Sequence, residues 1–333
     1  CADAGEPDTL LFAGLNSRYC RGVIALTNDD STNLAVAIAA RLLAPALPAL
    51  CRAEHAETVN NMASFGTRHI INPFEQFGEY MALALHSPAA YHLLLWLTGL
   101  PGTTVTRHRD PPVGKWVLCG YGSFGKVMTE ALENASLPVT IIDRSPPVDP
   151  AHHWIKGDGT GADALAAAGI REAVGIVAAT GNDVNNLSIV VTAHQMNPGL
   201  FTVLRQNQVA NRALFDAFES DFTMVPSEIV AHECLAILTT PLLAPFLAAV
   251  RKADDAWAEA LLQDVTGRFG WDVPAVWSVA INISQAPSVY RLLMRHEARL
   301  KLGDLLRAPV TGRPELACRA LLLLREGDPP RLL

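Results

Sequence analysis

The sequence lacks the features that most quickly assign a chain to a class. Its six cysteines, Cys1, Cys20, Cys51, Cys119, Cys234 and Cys318, are scattered, with no C-x-x-C pair and no secretory leader. That scatter excludes a disulfide framework and a thiolate zinc site, and fits a reducing cytoplasm. Basic residues are outnumbered: the formal net charge is -7 and the pI about 5.8, which leaves no electrostatic footprint for nucleic acid. Long apolar runs are also missing. The most apolar stretch, Cys234 to Val250, falls short of the ~20 residues a spanning helix needs and is broken by Pro241 and Pro245, so it reads as a buried or interface segment. No Cys, His or Lys stands where it would serve as nucleophile or proton donor beside a nicotinamide, and there is no Gly-x-Ser-x-Gly elbow. His152-His153 reads as a solvated loop pair, and no metal is assigned.

What is present is half apolar by composition, enough over 333 residues for two or three cores. An internal repeat organises it. Thr27-Asn28-Asp29-Asp30-Ser31-Thr32-Asn33-Leu34 matches Thr180-Gly181-Asn182-Asp183-Val184-Asn185-Asn186-Leu187 at an offset of 153, which persists at Arg52 and Arg205, Phe65 and Phe218, Pro73 and Pro226, and Pro88 and Pro241. Upstream, Asp3 and Ala13-Gly14-Leu15 match Asp158 and Ala168-Gly169-Ile170 after a shift of two residues. The first copy therefore starts inside the unit, without its opening half, and reads as a fragment of a longer polypeptide.

In the second copy, short apolar runs at Trp116 to Cys119, Val139 to Ile142, Gly175 to Ala179 and Phe201 to Arg205 predict buried parallel strands. The Ala/Leu-rich stretches Lys126 to Asn134, Asp163 to Ala168 and Asn186 to Gln195 predict crossover helices. The expected fold class is α/β, a doubly wound parallel sheet of Rossmann type in two tandem copies, followed by a small α+β lobe. The expected boundaries are 1–97 for the first copy, 98–114 for a linker, 115–250 for the second copy and 251–333 for the lobe. In that lobe, helix is predicted at Asp254 to Thr266 and strands at Val276 to Ile283 and Leu321 to Leu324.

Gly120-Tyr121-Gly122-Ser123-Phe124-Gly125 follows a predicted strand and opens a predicted helix, the context in which G-x-G-x-x-G is informative. The first glycine allows a tight turn, the second lets the backbone approach a pyrophosphate, and the third lets helix pack on strand. Unpaired amides at the helix start then attract phosphate oxygens. Asp143 ends the next strand, 18 residues after Gly125, where a carboxylate accepts bonds from ribose hydroxyls and disfavours a 2′-phosphate. Arg144 points either to a welcomed phosphate or to stacking on adenine. Asp158, in Gly157-Asp158-Gly159-Thr160, is a candidate for the exocyclic amine of adenine or a loop cap. Thr180 can reach phosphate or ribose, and Gly181 shares its turn, while Asn182 and Asp183 are candidate ligands or helix caps. Arg205 either neutralises a phosphate or pairs with an acid. The acidic pairs Asp29-Asp30 and Asp254-Asp255 are either divalent-ion ligands or ordinary caps.

These residues together resemble the regulator-of-potassium-conductance (RCK) domains, also found in Trk-type potassium uptake regulators. The resemblance rests on Trp116 through Gly125, the Asp143 strand end, Gly157-Asp158-Gly159-Thr160 and the repeated Thr-x-x-Asp segment, with Leu302-Gly303-Asp304-Leu305-Leu306 similar to the family's second lobe. Two positions depart from the family: Gly159 stands where Ala is usual, and Gly181 where a polar or acidic residue is common. The resemblance implies a non-enzymatic, nucleotide-binding gating-ring region of a potassium channel, at the cytoplasmic face of the membrane. NAD(H) is the first expectation for its ligand, with ADP, ATP or AMP as alternatives. It further implies a pore domain as partner, on the same polypeptide or another subunit, and a homo-oligomer, dimer to tetramer, whose four subunits supply a ring of eight domains. His86-Ser87-Pro88 and Thr239-Thr240-Pro241 interrupt apolar helices at equivalent places, as expected of arms exchanged between partners. The alternatives are a soluble subunit regulating a Trk- or Kef-type transporter, and an NAD-dependent oxidoreductase, against which the repeat argues.

Overall fold

The computed structural model describes residues 2–147, 151–240, 242–294, 301, 322–323 and 331–332. Two compact units form: residues 1–86 with 108–234, and residues 87–107 with 235–333. These units cut across the boundaries expected from the repeat. Both Rossmann copies share the first, whereas the helix opening at Pro88 belongs to the second.

Within the first unit, copy one runs α1 (Pro7–Phe12), β1 (Val23–Ala25), α2 (Asp30–Leu43), β2 (Ala49–Arg52), α3 (Ala56–Ser64), β3 (His69–Ile71) and α4 (Pro73–His86). Its strands form a parallel sheet in the order β1-β2-β3. In the second unit, α5 (Pro88–Thr98) is buried almost all round. Copy two then follows in the first unit, with β4 (Trp116–Cys119), α6 (Ser123–Asn134), β5 (Val139–Asp143), β6 (His153–Lys156), α7 (Ala162–Ala167), β7 (Gly175–Ala178), α8 (Asp183–Met196), β8 (Phe201–Arg205), α9 (Arg212–Phe218) and β9 (Phe222–Met224), and α10 (Pro226–Thr239) begins in the first unit and ends in the second. Its six strands are all parallel, in the order β6-β5-β4-β7-β8-β9. Strand order reverses between β4 and β7, and ligands of such sheets collect outside the carboxyl ends of the strands at that switch.

The repeat is physical as well as textual. Helices α2 and α8, strands β3 and β9, and helices α4 and α10 all start and end 153 residues apart. So do their welds. The Asn33 amide accepts from the Thr27 N–H at 3.0 Å and donates to the carbonyls of Thr27 and Arg52. Asn186 accepts from the Thr180 N–H at 3.0 Å and donates to the carbonyls of Thr180 and Arg205. Each asparagine is fully buried and ties the ends of two neighbouring strands together, satisfying backbone groups that would otherwise be orphaned. Asp30 accepts the amides of Glu54 and His55 as Asp183 accepts those of Asn207 and Gln208. At the two-residue-shifted positions, Asp3 takes the Gly5 N–H and Asp158 the Thr160 N–H.

The copy-two core lies between its sheet and helices and includes Val117, Ile142, Leu165, Ile176, Ile189 and Leu204. Copy one has a smaller core around Val36, Cys51 and Met62. Its sheet has no counterpart of β4 to β6 among the described residues, and β1 pairs with β2 alone.

In the second unit, α11 (Leu243–Val250), α12 (Asp255–Phe269), α13 (Pro287–Met294) and a short antiparallel pair, β10 (Leu322–Leu323) with β11 (Arg331–Leu332), follow α10. Helix α12 packs on α5, the Trp96 indole donates to the Gly270 carbonyl, and Asp255 accepts the Ala89 amide, capping α5. The strand expected at Val276 to Ile283 is not one. Those residues form no ladder among the described residues, and Val279, Ile281 and Ile283 are exposed, so their apolar alternation has no sheet to bury against. Pro241 and Leu302 to Leu306 lie outside the described residues.

Candidate functional site

The glycine loop joins β4 to α6, and its three glycines stand in three different settings. Gly120 has φ +98°, left-handed territory for an L residue, and a Cβ there would also press on Thr180. A Cβ at Gly125 would run into the carbonyl oxygen of Gly120. At Gly122 a Cβ would meet nothing within 4 Å, so the space above the loop is open. Gly122 is also the N-cap of α6. It supplies no side-chain cap, and the first turn of α6 carries no acidic residue. Helices α2 and α8 differ: α2 is capped by Asp29 with Asp30 in its first turn, and α8 by Asn182 with Asp183. At this sheet edge α6 therefore presents its amides and positive end without a built-in anion.

Around that opening stand most of the expected residues. Asp143 accepts the Tyr121 amide of the loop and the Ser145 amide, each at 2.8 Å. Arg144 lies 3.6 Å from the Asp158 carboxylate. The other oxygen of Asp158 accepts both the amide and the hydroxyl of Thr160, bonds that, ahead of Arg144, hold its pKa below the usual carboxylate value. Gly159 has φ +74°, and a Cβ on it would crowd Cys119. Its departure from the family's Ala thus has a local cause. Gly181 faces open space.

Other expected residues are engaged elsewhere. The Thr180 hydroxyl donates within its own turn and to the Asn186 amide oxygen at 2.6 Å. Asn182 caps α8 by accepting the Asn185 amide. Burial pushes the pKa of Asp183 up, but bonds from Asn207, Asn211 and Gln208 outweigh it and hold the carboxyl below its ordinary value. Asp29 caps α2 and Asp30 anchors the loop after β2, while Asp254 and Asp255 sit at the start of α12. Among the described residues no group of three or more His, Cys, Asp or Glu side chains gathers as a metal site. Arg205, at the end of β8, has its guanidinium carbon 4.6 Å from the centre of the Phe74 ring of copy one. Phe124 contributes a backbone position to the loop, and its ring is wholly buried against Phe74 and Phe77.

His152 is not a solvated loop residue. It is mostly buried, faces Tyr121 and Trp154, and pairs with Glu133 at 3.3 Å. Tyr121 meets Trp154 edge-on at 4.8 Å, so an aromatic cluster supports the loop on the β5–β6 side. Tyr121 was visible as the second residue of the motif, but Trp154 sits on, and His152 just before, a strand too polar to announce itself. Burial pushes the Cys119 thiol well above its ordinary value, which makes it an inert core residue beside the loop.

Residues 1–73 and 116–226, together more than half of the chain, match the TrkA-N domain. The chain belongs to the TrkA-N domain family. The match occurs twice, once in each copy of the repeat. Potassium channel protein 1 of Methanocaldococcus jannaschii is 27% identical over 139 residues, 40% of this chain and 42% of that protein. The Trk system potassium uptake protein TrkA homolog of Pyrococcus horikoshii is 27% identical over 136 residues, 38% of this chain and 60% of that protein. The chain thus spans less than two thirds of these relatives. Among solved structures, the GsuK channel bound to NAD superposes with a TM-score of 0.55 at 18% identity, covering 71% of this chain and 54% of that one. GsuK bound to ADP gives 0.53 at 20% identity, covering 71% and 56%. These similarities establish the RCK-type fold. No helix among the described residues is long and apolar enough to cross a membrane.

Proposed function

We propose that this chain is a nucleotide-binding regulatory region of a potassium channel, taking NAD(H) or an adenine nucleotide in the crevice above Gly122. The observation that carries this reading is the uncapped, acid-free start of α6 behind two sterically required glycines, Gly120 and Gly125, with open space at Gly122 between them, at the strand-order switch of a six-stranded parallel sheet. In this reading the amides of Gly122, Ser123, Phe124 and Gly125 hold the diphosphate. Asp143 accepts ribose hydroxyls, Arg144 and Asp158 border the adenine, and Thr180 and Gly181 floor the far side. Asp143 favours ligands with a free 2′-hydroxyl. Two relatives named as potassium transport proteins and neighbours described as bound to NAD and to ADP support the choice of ligand and role.

Regulation follows if the nucleotide prefers one arrangement of paired domains. A ligand binding both arrangements equally shifts nothing, whereas a hundredfold preference contributes about 2.7 kcal/mol per site. The pore is the partner in this reading, and the region works at the inner face of the membrane as part of a homo-oligomeric ring. The TrkA homolog favours a second version in which the same device regulates a separate transport subunit. Calorimetric titration with NAD, NADH, ADP, ATP and AMP tests the binding claim. Saturable binding that Gly122→Asp abolishes, with thermal unfolding unchanged, is the expected outcome; equal affinity in the variant moves the ligand to another site.

A further inference from the structure

Copy one and copy two meet inside the first unit, and the contact has the mark of a pseudo-two-fold axis. The Tyr80 hydroxyl donates to Glu233 at 3.0 Å, and these residues occupy the same position in the two repeats, 153 apart. On one side of that axis α4 of copy one packs along α6, the helix of the glycine loop. Gly78 allows the approach, since a Cβ there would run into Cγ1 of Val127.

One copy-one side chain reaches two members of the candidate site. The Phe74 ring, 1% exposed, lies 5.7 Å from the Phe124 ring and carries the Arg205 guanidinium on its face. Phe77 closes on Phe124 edge-on at 5.6 Å. Phe124 sits in the first turn of α6, where the amides proposed to meet phosphate are located. Arg205 makes no hydrogen bond through its buried Nε among the described residues. Burial disfavours its charge, while the carboxylates of Glu54 in copy one and Asp183 in copy two favour it, against Arg52. Its orientation is therefore set by a ring from the other copy rather than by a bonded partner of its own.

We propose that copy one positions the nucleotide site of copy two, with Phe74 as the positioning residue. Phe74 fixes the first turn of α6 through Phe124 and holds Arg205 at the carboxyl edge of β8, so copy two binds phosphate in full only while docked on copy one. The inference rests on the reading that the glycine loop binds nucleotide. By reciprocity, nucleotide tightens the contact between copies.

The test uses the full chain, with ADP titrated directly and adenosine measured by competition against it. Phe74→Leu keeps an apolar side chain but removes the ring face. ADP affinity is expected to fall about tenfold while adenosine changes by less than about twofold, because the ring acts on the phosphate end. A variant that binds ADP like the wild type, or that loses ADP and adenosine equally, overturns the proposal. Should Phe74→Leu fail to fold, Gly78→Ala keeps the Phe74 side chain but pushes α4, which carries it, off α6; the same selective loss of ADP supports the proposal and its absence overturns it. Gly122→Asp separates the two readings. Wild-type binding abolished by that change upholds the loop as the site whatever Phe74 does, and a wild type that binds no ADP sinks both.

Discussion

In copy one, strand β1 pairs among the described residues with β2 alone, and Ile24 at its centre is 54% exposed; in copy two the equivalent Val177 lies in β7 between β4 and β8 and is fully buried. Yet the hydrogen bonds at the ends of these strands are the same in both copies, from Thr27 and Thr180 to Asn33 and Asn186. The contrast separates two kinds of information. Strand-end welding is written locally, in a short Thr-x-x-Asp-x-x-Asn segment, and forms wherever that segment follows a strand. Burial is a property of the neighbours, which differ between the copies.

Substitutions can break this comparison. Val177→Ala removes buried volume from the middle of a sheet and should destabilise the chain by about 2 kcal/mol, whereas Ile24→Ala should cost about 0.5 kcal/mol or less. Chemical denaturation of both variants checks the ratio, and equal losses would mean that β1 is as well covered as β7. Asn186→Ala and Asn33→Ala should each cost about 2 kcal/mol by stranding buried backbone groups. A large difference between them would show that the weld depends on its neighbours after all. Gly159→Ala should cost about 1 kcal/mol, since the residue holds φ +74° and crowds Cys119, even though Ala suits the equivalent position in the family.

The smallest effect is on pH dependence. The folded pKa of Asp183 is depressed, so its contribution to stability is present above the unfolded value of about 3.9 and is lost as pH falls through the lower, folded value. Asp183→Asn should therefore be less stable than wild type at neutral pH, with the gap narrowing in acid below about pH 4. A gap independent of pH would contradict the assignment.

Much of this was legible in the sequence. The repeat, the doubly wound sheet, the boundaries of β4 and β8 and the glycine loop could all be read from patterns whose causes are local: apolar runs buried on both faces, and glycines forced by backbone geometry. The pairing of the copies was not legible. It depends on Phe74, Phe77 and Gly78, which read as an ordinary buried helix face, and the repeat gave no warning because the equivalent residues are Ser227, Val230 and Ala231. Arg205 was ambiguous for the same reason. Its strand-end position allows a phosphate contact, and only the fold shows that a ring from copy one takes its face. The small strand β6, carrying Trp154 beside His152, was hidden by its polar flanks. The strand expected at Val276 to Ile283 failed because alternation alone cannot make a strand without a partner.

Hydrogen–deuterium exchange of the full chain with and without ADP tests the central claim most directly. The account predicts added protection at residues 121–127 and, through Phe74, at residues 74–80 of copy one, with residues 30–36 at the capped start of α2 unchanged. Protection absent from residues 121–127, or appearing at α2 instead, would contradict it.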